Sequence, residues 1–98
     1  MADVFALVAP LWRYDGPAPW YFVSLPQDVS DEIRAGYGGM AGGFGSLRVE
    51  VTVGRTTWRT SVFPQGRSGR YLLPVKRQVR RDEGLEAGDE VALLLRVL

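Results

Sequence analysis

Arg67, Arg70, Lys76, Arg77, Arg80 and Arg81 crowd into a short stretch, and no acid occurs among residues 64–81. Side chains of this kind hold phosphates, carboxylates or nucleic acid, because Arg offers a planar fork of donors and Lys a compact charge. The plain alternative is a solvated helix face whose charges pair with Asp82, Glu83 and Glu86. Just upstream, Trp58, Thr60 and Val62 alternate with Arg59 and Ser61. Trp12, Trp20 and Trp58 are flat faces on which a ligand ring or a base can stack. In a chain this small, at least two of them are expected inside the core. Ser61 is a candidate nucleophile whose base, in a chain without His, would have to be Lys76. Ser–Lys pairs serve as catalysts, but a Ser at a strand end is more often a simple hydrogen-bonding group. Asp89 follows Gly88 in a turn, and no pair of carboxylates has a spacing that argues for acid–base work.

The absence of Cys excludes disulfides and thiolate chemistry, and the absence of His removes the commonest general base and metal ligand. No metal or cofactor is expected. The segment Gly36-Tyr37-Gly38-Gly39-Met40-Ala41-Gly42-Gly43-Phe44-Gly45 could cradle an anion with its N–H groups. It lacks the Walker spacing and leads into a strand rather than a helix, so it reads as a mobile connector. Tyr37, Met40 and Phe44 could close it over a groove.

The elements that must position these groups are mostly strands. Residues 4–12 are apolar and read as a strand that is interrupted or ends near Pro10. Trp20–Leu25 is aromatic and β-branched, and Leu47, Val49, Val51 and Val53 alternate with polar residues. Gly54-Arg55 makes a hairpin turn into Thr57–Phe63. Arg70–Leu73 and Glu90–Leu98 complete about six strands. Two short helices follow Pro26 and Pro74: the first, with Val29 and Ile33 on one face, is stopped by Gly36, and the second spans roughly 75–83.

A repeat organises these elements. Tyr21-Phe22-Val23-Ser24-Leu25-Pro26, a short helix, a Gly-rich turn and a long strand recur as Arg70-Tyr71-Leu72-Leu73-Pro74, helix, turn and strand. Aligned on the two Leu-Pro pairs, Val29 and Val79 are out of step by two residues. One unit cannot bury its apolar face alone, but two can close a barrel without exposed edges. Charge is split between the halves. Residues 1–49 carry three Arg against five acids, and residues 50–98 carry nine basic residues against six acids, for a net +1 overall. The first helix carries Asp28, Asp31 and Glu32 where the second is basic.

The run Gly69–Pro74, Val79-Arg80 and Gly84–Val91 resembles the swapped-hairpin regulators of AbrB and MazE type, short chains that dimerise to complete a barrel. A wider resemblance joins Trp20–Pro26, Thr57–Pro64, Leu73–Lys76, Val79-Arg80 and Gly88-Asp89. Over nearly the whole chain, these residues are similar to the bacterial family termed domain of unknown function nineteen-oh-five. That resemblance implies a mainly β fold: a small closed double-split β-barrel of two pseudo-symmetric halves, in which one chain does what two do in the AbrB type. It implies no established activity.

The expectation is a single domain over residues 1–98, a monomer, acting as a non-catalytic binding module. Arg67, Arg70, Lys76, Arg77 and Arg80, with Tyr37, Trp58 and Ser61, would face an anionic small molecule or an acidic protein surface. Nucleic acid is the first alternative, disfavoured by the near-neutral charge, and a small enzyme using Ser61 and Lys76 is the second. The N-terminus lacks the pattern of a secretory signal and no apolar run is long enough to span a membrane, so a cytoplasmic location is expected.

Overall fold

The computed structural model describes residues 3–98. Its elements are β1 (Val4–Tyr14), β2 (Trp20–Ser24), α1 (Gln27–Tyr37), β3 (Leu47–Val53), β4 (Thr56–Gln65), β5 (Arg70–Pro74), α2 (Arg77–Glu83) and β6 (Glu90–Val97). The strands form a closed barrel in the order β1-β2-β5-β4-β3-β6, with every neighbouring pair antiparallel. Closure gives every strand a neighbour on each side, which limits the open edge that could template aggregation.

Alternation decides what fills the barrel. Leu7, Ala9 and Leu11 of β1, Val49 and Val51 of β3, Trp58 and Val62 of β4, Leu73 of β5 and Leu93 and Leu95 of β6 all point inward and are buried. Leu25, Ile33, Val75 and Val79, carried by α1, α2 and the segments leading into them, join the same cluster. Trp58 is the one Trp in that core. Trp12 is half-buried, its indole N–H donating to Ser24 Oγ at 2.9 Å, and Trp20 is exposed, so the expectation of two buried Trp is corrected.

The two long strands each change partners midway. β1 pairs with β6 over Val4–Pro10 and with β2 over Leu11–Tyr14, while β4 pairs with β3 up to Val62 and with β5 from Phe63. This explains why Pro10 does not end β1. Leu11 N–H donates to Asp89 O on the β6 side, so the Pro10 nitrogen faces the β2 side, just before that ladder starts. Pro74 behaves alike. It closes β5 opposite Phe22, beyond the stretch paired with β4, and α2 begins only at Arg77. Likewise α1 runs through Gly36 to Tyr37, and the glycine-rich segment holds two 3-10 turns, Gly38–Met40 and Gly43–Gly45.

The circuit has a half-turn symmetry. β1-β2-α1-β3 and β4-β5-α2-β6 run in the same order, and the pairs β2–β5 and β3–β6 cross the axis. Register fixes the correspondence. Leu25 N–H donates to Tyr71 O and Val75 N–H donates to Tyr21 O, each at 2.9 Å, so equivalent residues lie 50 positions apart. Tyr21 matches Tyr71, Leu25 matches Val75, and Val29 matches Val79. The two-residue slip in the sequence alignment disappears, because Pro26 corresponds to Lys76 and not to Pro74.

Each helix is fastened to the opposite half. Ser30 of α1, fully buried, donates from Oγ to Leu25 O at 3.3 Å and accepts from Tyr71 N–H at 3.1 Å. At the equivalent place in α2, Arg80 Nε donates to Val75 O at 3.2 Å, and its guanidinium lies 3.7 Å from the centre of the Tyr21 ring. Arg34 of α1 lies over Tyr71 in the same sense, 5.2 Å from its centre, and donates to Gly69 O.

Candidate functional site

α2 presents its cations by simple geometry. Val79 is buried and anchors the helix on the core. Lys76, Arg77 and Arg80, related by three- and four-residue spacings, then share one flank. Gln78 and Asp82 occupy another and hydrogen-bond each other at 3.2 Å. Glu83 is tied to the start of β4, accepting from Thr56 Oγ1 at 2.6 Å. Gly84, at φ 62, ends the helix in the left-handed conformation, and its N–H donates to Arg80 O and Arg81 O. Glu86 lies in the turn that Asp89 closes by accepting the Glu86 N–H at 2.8 Å. None of these acids pairs with the basic flank. Among the described residues, no carboxylate lies within 4.0 Å of the charged groups of Lys76, Arg77 or Arg80.

That flank forms one wall of a pocket of about 320 Å³. Pro74, Val75, Lys76, Arg77 and Arg80 come from the end of β5 and the start of α2, Trp58, Arg59 and Thr60 from β4, and Pro19, Trp20 and Tyr21 from the start of β2. Four of these residues are cationic and none is acidic. Arg80 is held by its stacking on Tyr21, worth about 0.5–2 kcal/mol, and by its bond to Val75 O. Arg59 is partly neutralised by Glu50 at 3.4 Å. Lys76 and Arg77 are exposed and are the cations left for a ligand.

Beside the pocket, and sharing Trp20 and Pro74 with it, lies a groove of about 480 Å³. It is lined by Trp12, Tyr14, Phe22, Phe63, Gln65 and Leu72 on the outer face of β1, β2, β5 and β4. Trp20 stacks on Phe22 with centres 6.0 Å apart and planes 8° from parallel, and Phe22 meets Trp12 at 5.2 Å.

Of the residues picked out from sequence, Trp58, Lys76, Arg77 and Arg80 thus converge. Arg70 turns away, its guanidinium donating to Leu25 O at 2.9 Å and Ser24 O at 3.3 Å. It occupies the place that Trp20 holds in the other half, with its guanidinium on the carbonyls of Ser24 and Leu25, the residues that match Pro74 and Val75 of the pocket wall. Arg67 is exposed in the 3-10 turn Gly66–Ser68. Ser61 Oγ accepts from Arg48 at 3.4 Å, and Ser61 does not line the pocket that Lys76 lines. Tyr37 donates from its hydroxyl to Asp3 at 3.1 Å, and Phe44 is 98% exposed; neither borders the pocket or the groove. Arg59 and Tyr21 are members that sequence reasoning did not single out, and Trp20 was named there only as a stacking face, apart from the basic run. The signal was the adjacency of β2, β5 and β4, which follows from the repeat once the barrel order is known. Among the described residues, no group of three or more His, Cys, Asp or Glu is placed to hold a metal ion, and no helix is long and apolar enough to cross a membrane.

Fold and site together define a small closed antiparallel barrel with a basic, aromatic-rimmed pocket. The family described as Domain of unknown function (DUF1905) matches residues 8–95, nearly the full length, and the chain belongs to it. No curated protein matches the chain.

Proposed function

We propose that this barrel is a non-catalytic module that binds a small anion in the pocket between β2, β4 and the start of α2. The observation that carries this reading is the lining itself, in which Arg59, Lys76, Arg77 and Arg80 converge with no carboxylate among the pocket residues. Cations gathered in a concave, partly apolar site act at a lower effective dielectric than on an open face, which favours an anion there. Concavity also favours a small molecule over a protein surface. Duplex DNA fits less well, because Lys76, Arg77 and Arg80 are matched in the other half by the uncharged Pro26, Gln27 and Ser30, and Arg81 by Asp31, so there is no second basic surface.

Calorimetric titration with pyrophosphate at about 50 mM salt, where phosphate contacts are least screened, is the test. The expected result is saturable binding of one anion per chain, weakened by added salt. Charge-assisted hydrogen bonds contribute about 1.5–3 kcal/mol each, so Lys76→Ala with Arg77→Ala should cost at least about tenfold in affinity. Both side chains are exposed, so the double variant should fold, as circular dichroism would check. Absence of binding, or equal affinity in the double variant, would overturn the reading.

A further inference from the structure

We infer that the ligand is a nucleotide, with its phosphates on Lys76 and Arg77 and its base in the aromatic groove across Trp20. This rests on the anion pocket proposed above and adds the class of molecule that fills it. Trp20 and Pro74 line both cavities, so pocket and groove form one continuous surface, cationic at one end and aromatic at the other. Trp20 is 55% exposed, Tyr14 52% and Phe63 42%, and three large rings left this open on one sheet face are a costly surface unless something flat covers them. Trp20 lies parallel to Phe22 and stays largely open to solvent, which leaves ring surface for a base to cover. Stacking on such a face is tolerant of the ring's identity, while Gln65 and the Tyr14 hydroxyl at the rim suit the heteroatom edge of a base. A simple anion would leave the groove empty, and an apolar ring without charge would leave Lys76 and Arg77 unused.

The experiment compares ADP, pyrophosphate and adenosine by calorimetry on the full chain and on two variants, Trp20→Ala and Phe63→Ala. ADP is expected to bind about 5- to 150-fold more tightly than pyrophosphate, the ratio that stacking of one base carries. That ratio should fall to near one in Trp20→Ala. Phe63 lies only on the groove side, and its replacement should also reduce the ratio, which keeps the test alive should Trp20→Ala not fold. Equal affinities for ADP and pyrophosphate in the unaltered chain would overturn the nucleotide and leave the anion pocket standing. A ratio that survives both substitutions would place the ring elsewhere and also overturn it. Failure of both ligands to bind would remove the anion pocket itself. A single-stranded oligonucleotide that binds more than ~100-fold tighter than ADP, with steep loss in salt, would replace the nucleotide by a strand.

Discussion

Ser30 shows how much one small side chain does in this barrel. Its hydroxyl, fully buried, bridges Leu25 O and Tyr71 N–H and so joins α1 to a strand of the opposite half. Ser30→Ala would leave the Tyr71 N–H buried without a partner, at a cost of about 1–3 kcal/mol. Chemical denaturation should show that loss with little change in the urea slope; a variant as stable as the parent would mean that the bridge is replaceable. Nothing in the sequence marked this Ser, because its value comes from a partner 41 residues away. Arg70 is the converse case. Its charge and its company made it look like part of a binding edge, yet it serves two backbone carbonyls. Composition shows which residues can bind an anion, but not which are already engaged by the chain itself.

At the scale of elements, alternating patterns were legible and ends were not. β3 and β6 show their inward faces plainly, whereas Pro10 looked like a boundary and lies within β1, and Pro74 looked like the opening of a helix and is the last residue of β5. A proline interrupts a strand only where its missing N–H is required, and here the neighbouring ladder has not begun or has already ended. Cross-strand charge was equally hidden. Glu50 of β3 stands opposite both Arg59 of β4 and Arg96 of β6. The hydrogen bond from Arg96, at 2.9 Å, is the main cause that holds the Glu50 carboxyl below its ordinary value, with the Arg96 charge and the bond from Arg59 adding to it. A carboxyl whose value is lowered on folding stabilises the fold above its unfolded value, about 4.3, and that contribution is lost as pH falls through the lowered folded value. The difference in melting temperature between the parent and Glu50→Gln should therefore be widest near neutral pH and close in acid. A difference that is constant from neutral pH into acid would show that the charge on Glu50 is not what matters.

At the scale of the whole molecule, the repeat was visible but misaligned, since two Leu-Pro pairs look like the natural anchors and the hydrogen-bond register chooses a different match. The pocket was only half visible. Its α2 wall is a run of basic letters, but β2 and β4 contribute Trp20, Tyr21 and Arg59 through a barrel order that no local pattern encodes. The symmetry of the backbone is not kept by the side chains. Trp20 on one side is answered by Arg70 on the other, and the four cations of the pocket are answered by Ala9, Pro26, Gln27 and Ser30.

The crossed helices have a practical consequence. Cutting the chain at the Gly54-Arg55 hairpin would separate two pieces, each of which lacks the tyrosine ring, Tyr71 or Tyr21, over which an Arg of its own helix lies. Each piece alone should be unfolded, since a segment of about 50 residues with half a core is below the size that holds itself together. Mixed at equal concentration, the two should reassemble into the intact spectrum by circular dichroism, with a midpoint that depends on protein concentration. The molecule would then behave as a self-complementing pair that happens to be joined by a tether, and each piece could report the presence of the other.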